Sequence, residues 1–146
     1  MIPIRSDHAV EEFLRVVPRA RTVLDGVAAS DPERYGAWLE GKADDLLQFL
    51  LEAFTRPILL PLLREDFPSA TDEAAIRASF AYVEGLALSD NSYVDSSLHF
   101  GILEQFLEGE KILRRAYRNS LPVTRAKLVS ILKEYPETFR RLRAEF

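Results

Sequence analysis

Asp95 and His99 are the residues of this chain best placed for acid/base chemistry. They are four residues apart, which puts them one turn from each other on the same side of a helix. Both fall within the apolar arc of that helix, so the pattern predicts that they are buried. A buried ionisable pair has to be hydrogen-bonded, either to each other or to nearby backbone. The pair is therefore interpreted either as a structural hydrogen bond or as an acid/base dyad.

A dyad also needs a nucleophile or an electrophile stabiliser close by, and the only local candidates are Tyr93, Ser96 and Ser97. The chain has no cysteine and only two histidines, which leaves little room for thiol or metal chemistry. It also lacks a phosphate-binding glycine loop, a Gly-x-Ser-x-Gly elbow and zinc-ligand spacing. We therefore predict no catalytic residues, no metal and no cofactor.

A second group of candidates consists of Asp90, Tyr93, Glu104 and Glu108. The turn from Ser89 to Tyr93 is small, polar and tipped by an aromatic ring, next to an acidic stripe. It is interpreted either as a simple helix connection, capped by Asp90 or Ser92, or as a partner-binding loop.

The candidates lie on a predicted pair of central helices that spans Thr71 to Gly109, with Thr71 as N-cap and Gly109 as C′ residue. Large apolar residues recur at helical spacing on one side of the first helix, and small residues line the other side. The second helix is apolar around most of its circumference, and its apolar arc continues through Leu103, Leu107 and Phe100. Only a narrow stripe is predicted to face water, formed by Ser97, Glu104 and Glu108.

The rest of the chain also predicts helices, and no strand pattern is present. Proline positions divide the chain into short segments, with a kinked helix expected where Pro57 and Pro61 fall. We predict an all-α single domain, residues 1–146, of stacked antiparallel helix pairs in an irregular solenoid or orthogonal bundle of 7–8 helices. The predicted segments outside the central pair run from Ser6 or Asp7 to Val17, Arg19 to Ala28, Pro32 through Trp38, Ala37 to Phe54, Pro57 to Leu63, Glu110 to Arg118, Pro122 to Leu132, and Pro136 to Ala144.

Charge is distributed unevenly along the chain. Residues 1–110 carry 20 acidic and 9 basic side chains, whereas residues 111–146 carry 3 acidic and 10 basic ones. Two interpretations follow: the basic end folds against the acidic part and neutralises it, or a charged lobe stays exposed and steers a partner. A pI of 5.3 disfavours nucleic acid as the partner of the basic residues. These residues are Lys111, Arg114, Arg115, Arg118, Arg125 and Lys127.

Three features favour a cytoplasmic protein that does not bind a membrane. The first residues lack the apolar core of a signal peptide, and the longest apolar run, Pro57 to Leu63, is too short to cross a bilayer. The absence of cysteine suits a reducing compartment.

Trp38, the only tryptophan, is interpreted either as a core anchor or as an interface hot spot.

One stretch of about 78–132 resembles a family of small uncharacterised bacterial helical proteins, some of which look like immunity proteins of polymorphic toxin systems. The resemblance rests on Val94, on a helix ending at 102–104, on the helix from Ile112 to Tyr117, and on Leu121-Pro122-x-Thr124-Arg125-x-x-Leu128. It implies a rigid helical scaffold that binds a protein and has no catalytic constellation.

The leading hypothesis is a non-enzymatic protein that covers a basic toxin domain with an acidic surface containing Asp90, Tyr93, Glu104 and Glu108. A second hypothesis is a small enzyme that uses Asp95 and His99. A third is a helical scaffold that self-associates by joining its acidic and basic ends. The sequence leaves the partner, the substrate and the oligomeric state open.

Overall fold

The computed structural model describes residues 1–144, so the last two residues of the predicted 1–146 domain lie outside the described residues. This part of the chain forms nine helices and contains no strand. The all-α prediction is confirmed, although 7–8 helices were expected. In chain order the helices are α1 (Ser6–His8 continuing through Ala9–Val16), α2 (Ala20–Ser30), α3 (Pro32–Leu39), α4 (Ala43–Arg64), α5 (Ala70–Ala87), α6 (Ser92–Leu98 continuing through His99–Leu103 and Glu104–Glu108), α7 (Glu110–Asn119), α8 (Pro122–Leu132) and α9 (Pro136–Ala144).

Helix α5 is the centre of the structure. It packs against α1, α4, α6, α7 and α8, and most of its last two turns is buried. In a solenoid each unit contacts only its neighbours along the chain, whereas α1 and α5 are far apart in sequence and still pack together. The predicted solenoid-like stacking is therefore replaced by helices grouped around α5.

The ends of the central pair differ from the prediction by a few residues. Ser69, not Thr71, is the N-cap of α5, because its hydroxyl accepts a hydrogen bond from the Asp72 amide at 3.1 Å. Gly109 has an extended backbone with φ of −162° and directly precedes α7, so it is not a left-handed C′ residue.

Helix α4 is one continuous helix where a break was predicted between Phe54 and Pro57. The chain breaks earlier, at Gly41, whose φ of +69° is in the left-handed region that favours glycine. Pro57 lies inside α4, where residues Leu50–Leu59 form a π-helix. A proline has no N–H to donate and its ring crowds the carbonyl four residues earlier, and the wider π turn accommodates both defects.

Helix α4 is also long and apolar enough to cross a membrane, with 22 residues and a mean hydropathy of 1.5 in its most apolar window. However, 61% of that window is buried inside the protein. A core helix of a globular protein has the same length and composition, so this property alone does not distinguish the two environments.

Aromatic residues join α1, α3, α4 and α5 in one core. Phe13 packs edge-on against Phe49 and Phe54, and Tyr82 packs against Phe54 at 5.3 Å between ring centroids. Trp38 is only 3% exposed and contacts Phe49. The interpretation of Trp38 as a core anchor is confirmed, and the interpretation as an interface hot spot is wrong.

The small residues of α5 allow the N-terminal segment to lie directly on the helix. The Ile4 amide donates a hydrogen bond to the Gly85 carbonyl at 2.8 Å. A Cβ at Gly85 would lie 2.6 Å from Cδ1 of Ile4. The small residues on this side of α5 therefore permit a close approach by the N-terminal segment.

Candidate functional site

Tyr93 and Phe100 are exposed on the outer side of α6. Tyr93 is 57% exposed and Phe100 is 51% exposed. Seven residues separate them, so they lie on nearly the same side of the helix. Tyrosine and phenylalanine are enriched at protein interfaces relative to the rest of the protein surface.

Phe100 was assigned to the apolar arc of α6 and Ser97 to its wet stripe, and both assignments are wrong. Ser97 is only 5% exposed and Gly101 is also buried. The two small residues allow α4 to approach α6 closely, so that a Cβ at Gly101 would lie 3.3 Å from the Leu47 carbonyl. Because α4 covers the side with the small residues, Phe100 is left outside.

The contact between α4 and α6 includes two π-helical segments, Leu50–Leu59 and His99–Leu103. Thr55, which is fully buried, donates a hydrogen bond from Oγ1 to the Gly101 carbonyl at 2.6 Å. This bond satisfies a polar side chain in the core and ties the two helices together. The Phe100 side chain therefore stands next to a fixed point of the backbone.

The N-terminus of α6 is also fixed. The Asn91 side-chain oxygen accepts hydrogen bonds from the amides of Tyr93 at 2.9 Å and Val94 at 3.2 Å. Asn91 is thus the N-cap, where Asp90 or Ser92 had been predicted. This cap holds Tyr93 in the first turn of a well-formed helix.

Leu47 of α4, which is 38% exposed, extends the apolar surface beside Phe100, because its side chain lies against Gly101. Exposed carboxylates belong to the same region: Asp44 precedes Leu47 by one turn, and the segment Ala43–Asp45 packs against Ser92–Leu98. We call this surface the aromatic face and define it as Asp44, Leu47, Asp90, Tyr93, Phe100 and Glu104.

The four residues predicted to bind a partner, Asp90, Tyr93, Glu104 and Glu108, are all exposed. Asp90 makes no ion pair with any described residue. Glu104 lies 3.6 Å from His99 Nε2. Glu108 forms an ion pair with Arg64, which offsets its charge, so we place it at the margin of the aromatic face.

Asp95 and His99 are not the buried pair that the pattern predicted. The Asp95 side chain is 56% exposed and that of His99 is 41% exposed. Asp95 accepts a hydrogen bond from Lys127 Nζ on α8, whereas the His99 ring packs edge-on against Phe100 at 4.6 Å. The two residues share a cleft of about 210 Å³ with Lys127 and Ser130. Asp95 and His99 are therefore not hydrogen-bonded to each other.

The buried carboxylate of this region is Glu84, which sequence reasoning missed. It is 5% exposed and lies on α5 at the N-terminus of α8. It accepts hydrogen bonds from the Val123 amide at 3.0 Å, the Thr124 amide at 2.7 Å and the Thr124 hydroxyl at 2.8 Å. The N-cap of α8 is Leu121, which has no acceptor in its side chain. That missing cap is the signal in the sequence that another residue had to supply one.

The basic C-terminal residues are largely paired within the protein. Lys111 and Arg115 bind Asp66, Arg114 and Arg141 approach Glu110, and Arg125 lies over the Tyr117 ring. These contacts support internal neutralisation of the basic end, and they occupy cations that a nucleic acid would need.

Within residues 1–144 no group of three or more His, Asp or Glu residues is arranged to hold a metal.

Comparison with known proteins gives no further information about function. No protein-family model matches the chain, and neither a curated protein nor a solved structure does.

Proposed function

We propose that the chain is a non-enzymatic protein-binding module that holds a basic partner on its aromatic face. The observation that carries the proposal is the exposure of Tyr93 and Phe100, each more than half open to water, on one side of a rigid helix. Aromatic anchors of this kind dominate the energy of protein interfaces.

The aromatic face is pre-organised for binding. The Asn91 cap fixes the start of α6, and the hydrogen bond from Thr55 to Gly101 fixes the backbone next to Phe100. A surface that is already rigid loses little conformational entropy when a partner binds. Its anchors therefore contribute most of their contact energy to affinity.

The surrounding charge favours a basic partner. The sequence has no Lys or Arg from Ala78 to Glu110, and Asp44 and Asp90 are exposed without an ion pair to any described residue. Carboxylates around an apolar centre steer a cationic protein and disfavour an acidic one.

The family resemblance narrows the partner to a basic toxin domain that the chain neutralises by covering it. Occlusion needs shape, exposed anchors and charge, and it needs no catalytic group. The alternative of an enzyme using Asp95 and His99 lacks the buried, hydrogen-bonded pair on which it was founded. Asp95 is instead committed to Lys127.

The proposal is tested by affinity capture of tagged protein from extracts of the source organism at low salt, followed by growth assays. We expect one stoichiometric basic protein that inhibits growth when expressed alone, and growth restored by co-expression of this chain. A Tyr93→Ala/Phe100→Ala variant is expected to fail to restore growth. Full rescue by that folded variant would contradict the proposal, and salt-sensitive oligomers of the chain alone would favour the self-associating scaffold.

Charge reversal tests Glu104 of the aromatic face together with Glu108 at its margin. Glu104→Lys combined with Glu108→Lys is expected to slow association with the partner about tenfold and to weaken its salt dependence. Glu11→Lys is the matched control, because Glu11 is an exposed acid on α1. An unchanged association rate in the double variant would remove these carboxylates from the interface.

A further inference from the structure

A cavity of about 390 Å³ lies where the end of α4, residues 65–68, α5 and α7 meet. Cavities of about 300–1,000 Å³ are typical of small-molecule sites. Pro68 and Ile76 supply its accessible apolar part, whereas Leu62 and Leu63 also line it but are at most 2% exposed. The cavity is separate from the aromatic face, and the inference drawn from it does not depend on the proposed protein-binding function.

One wall of the cavity is held rigidly by Arg115. Its guanidinium donates to the Leu63 carbonyl at 2.8 Å, to the Glu65 carbonyl and to Asp66 Oδ1 at 3.2 Å. Lys111 also pairs with Asp66, and these two cations hold the pKa of the Asp66 carboxyl below its ordinary value. The charges of Arg115 and Asp66 are therefore used to fix residues 65–68 against α7.

Four other charged residues line the cavity: Arg118 and three that are not used in this way, namely Glu65, Glu73 and Arg77. Glu73 and Arg77 lie one turn apart on α5, an arrangement that favours an ion pair. Yet neither they nor Glu65 form an ion pair or a side-chain hydrogen bond with any described residue. The cavity thus offers an available guanidinium and available carboxylates next to an apolar surface.

We propose that this cavity binds a small zwitterion, namely a free α-amino acid with an apolar side chain. Arg77 binds the carboxylate through its planar pair of N–H donors. Glu73 and Glu65 bind the ammonium group, and the ligand side chain lies on Pro68 and Ile76. A ligand with only negative charge is disfavoured by the two glutamates, and a simple cation by Arg77.

The chemistry of the ligand separates this assignment from nonspecific binding. L-leucine carries both charges and an apolar side chain, 4-methylpentanoate lacks its ammonium group, isoamylamine lacks its carboxylate, and glycine lacks its side chain. We expect calorimetric titration of the full chain to show L-leucine binding at least about tenfold more tightly than each of the other three. Equal binding of 4-methylpentanoate or isoamylamine would overturn the zwitterion assignment, as would the absence of L-leucine binding.

Two variants locate the site. Arg77→Gln and Glu73→Gln are each expected to weaken L-leucine binding about tenfold or more, because each leaves one ligand charge unpaired. Both residues are exposed and form no ion pair or side-chain hydrogen bond with any described residue. Arg21→Gln, at an exposed arginine of α2, is the control and should bind L-leucine like the unmodified chain. Undiminished binding by Arg77→Gln would overturn the proposal.

Discussion

Glu84 on α5 and Asp95 on α6 are carboxylates on adjacent central helices, and α8 supplies donors to both of them. Glu84 is 5% exposed and receives three hydrogen bonds at the N-terminus of α8. Asp95 is on the water-facing side and receives one from Lys127. The carboxylate of Glu84 supplies the missing N-cap of α8 inside the protein. The ion pair of Asp95 with Lys127 lies at the surface, where water and salt weaken it. Burial, more than residue type, therefore decides which carboxylate is part of the scaffold.

The largest effect expected from this comparison is that of removing Glu84. Glu84→Ala leaves the amides of Val123 and Thr124 without acceptors, so we expect the free energy of unfolding to fall by about 2–4 kcal/mol. Asp95→Ala removes an exposed ion pair and should cost less than about 1 kcal/mol. Denaturant unfolding of both variants measures the difference. Equal unfolding free energies for Glu84→Ala and Asp95→Ala would mean that burial does not decide how much each carboxylate stabilises the fold.

A smaller effect is expected at the crossing of α4 and α6, which connects the core to the aromatic face. Gly101→Ala places a Cβ 3.2 Å from Cδ1 and 3.3 Å from the carbonyl of Leu47. Because the carbonyl belongs to the backbone, we expect a loss of about 1–3 kcal/mol in unfolding free energy.

The matched control for Gly101→Ala is Gly26→Ala, since a Cβ at Gly26 meets no atom within 4 Å. Gly26 lies inside α2, where alanine is a better helix former than glycine by up to about 1 kcal/mol. Thermal or denaturant unfolding should therefore shift in opposite directions for the two variants. A stabilised Gly101→Ala variant would show that α4 and α6 are not closely packed there.

A small change in unfolding free energy is expected at Tyr82, because its buried polar group is neutral whereas that of Glu84 is charged. Its hydroxyl donates to the Ala9 carbonyl at 2.8 Å, and Tyr82→Phe should cost about 1 kcal/mol. Burial, with a smaller contribution from the charge of Glu12, raises the pKa of Tyr82 well above its ordinary value of 10.0. As the pH rises, the Tyr82 hydroxyl therefore ionises in the unfolded chain before it does so in the folded protein. The stability that the buried, neutral hydroxyl contributes is complete below pH 10.0 and is lost as the pH rises further.

The pH dependence is measured from the unfolding free energies of the unmodified chain and Tyr82→Phe between about pH 8 and 11. The unmodified chain should lose stability more steeply above pH 10 than the variant does, since only it can ionise at this position. Parallel curves would show that Tyr82 ionises equally in both states.

Much of the fold was predictable because it rests on the spacing of apolar residues. The central pair, its turn after Leu88 and the absence of strands follow from helical periodicity and proline positions. The break at Gly41 was missed because one glycine between two helical patterns does not reveal its positive φ. The π-helices were missed because periodicity analysis assumes regular α turns, whereas the turns of Leu50–Leu59 and His99–Leu103 are wider.

The candidate site was predictable only in part. Asp90, Tyr93, Glu104 and Glu108 are exposed as expected, but Phe100 was assigned to the wrong side. The prediction placed large apolar residues inside and did not consider that the small residues Ser97 and Gly101 permit the closest packing between helices. The positions of Asp95 and Glu84 depend on α8, which is distant in sequence, and periodicity within one helix contains no information about such a neighbour.

The central claim is that Tyr93 and Phe100 anchor a protein partner, and the most direct measurement is the dissociation constant of the captured partner. Tyr93→Ala/Phe100→Ala is expected to weaken binding by at least about 30-fold, corresponding to about 2 kcal/mol. Phe67→Ala is the control, since Phe67 is 94% exposed and lies in the connection between α4 and α5. It should bind like the unmodified chain. A folded double variant with unchanged affinity would contradict the account.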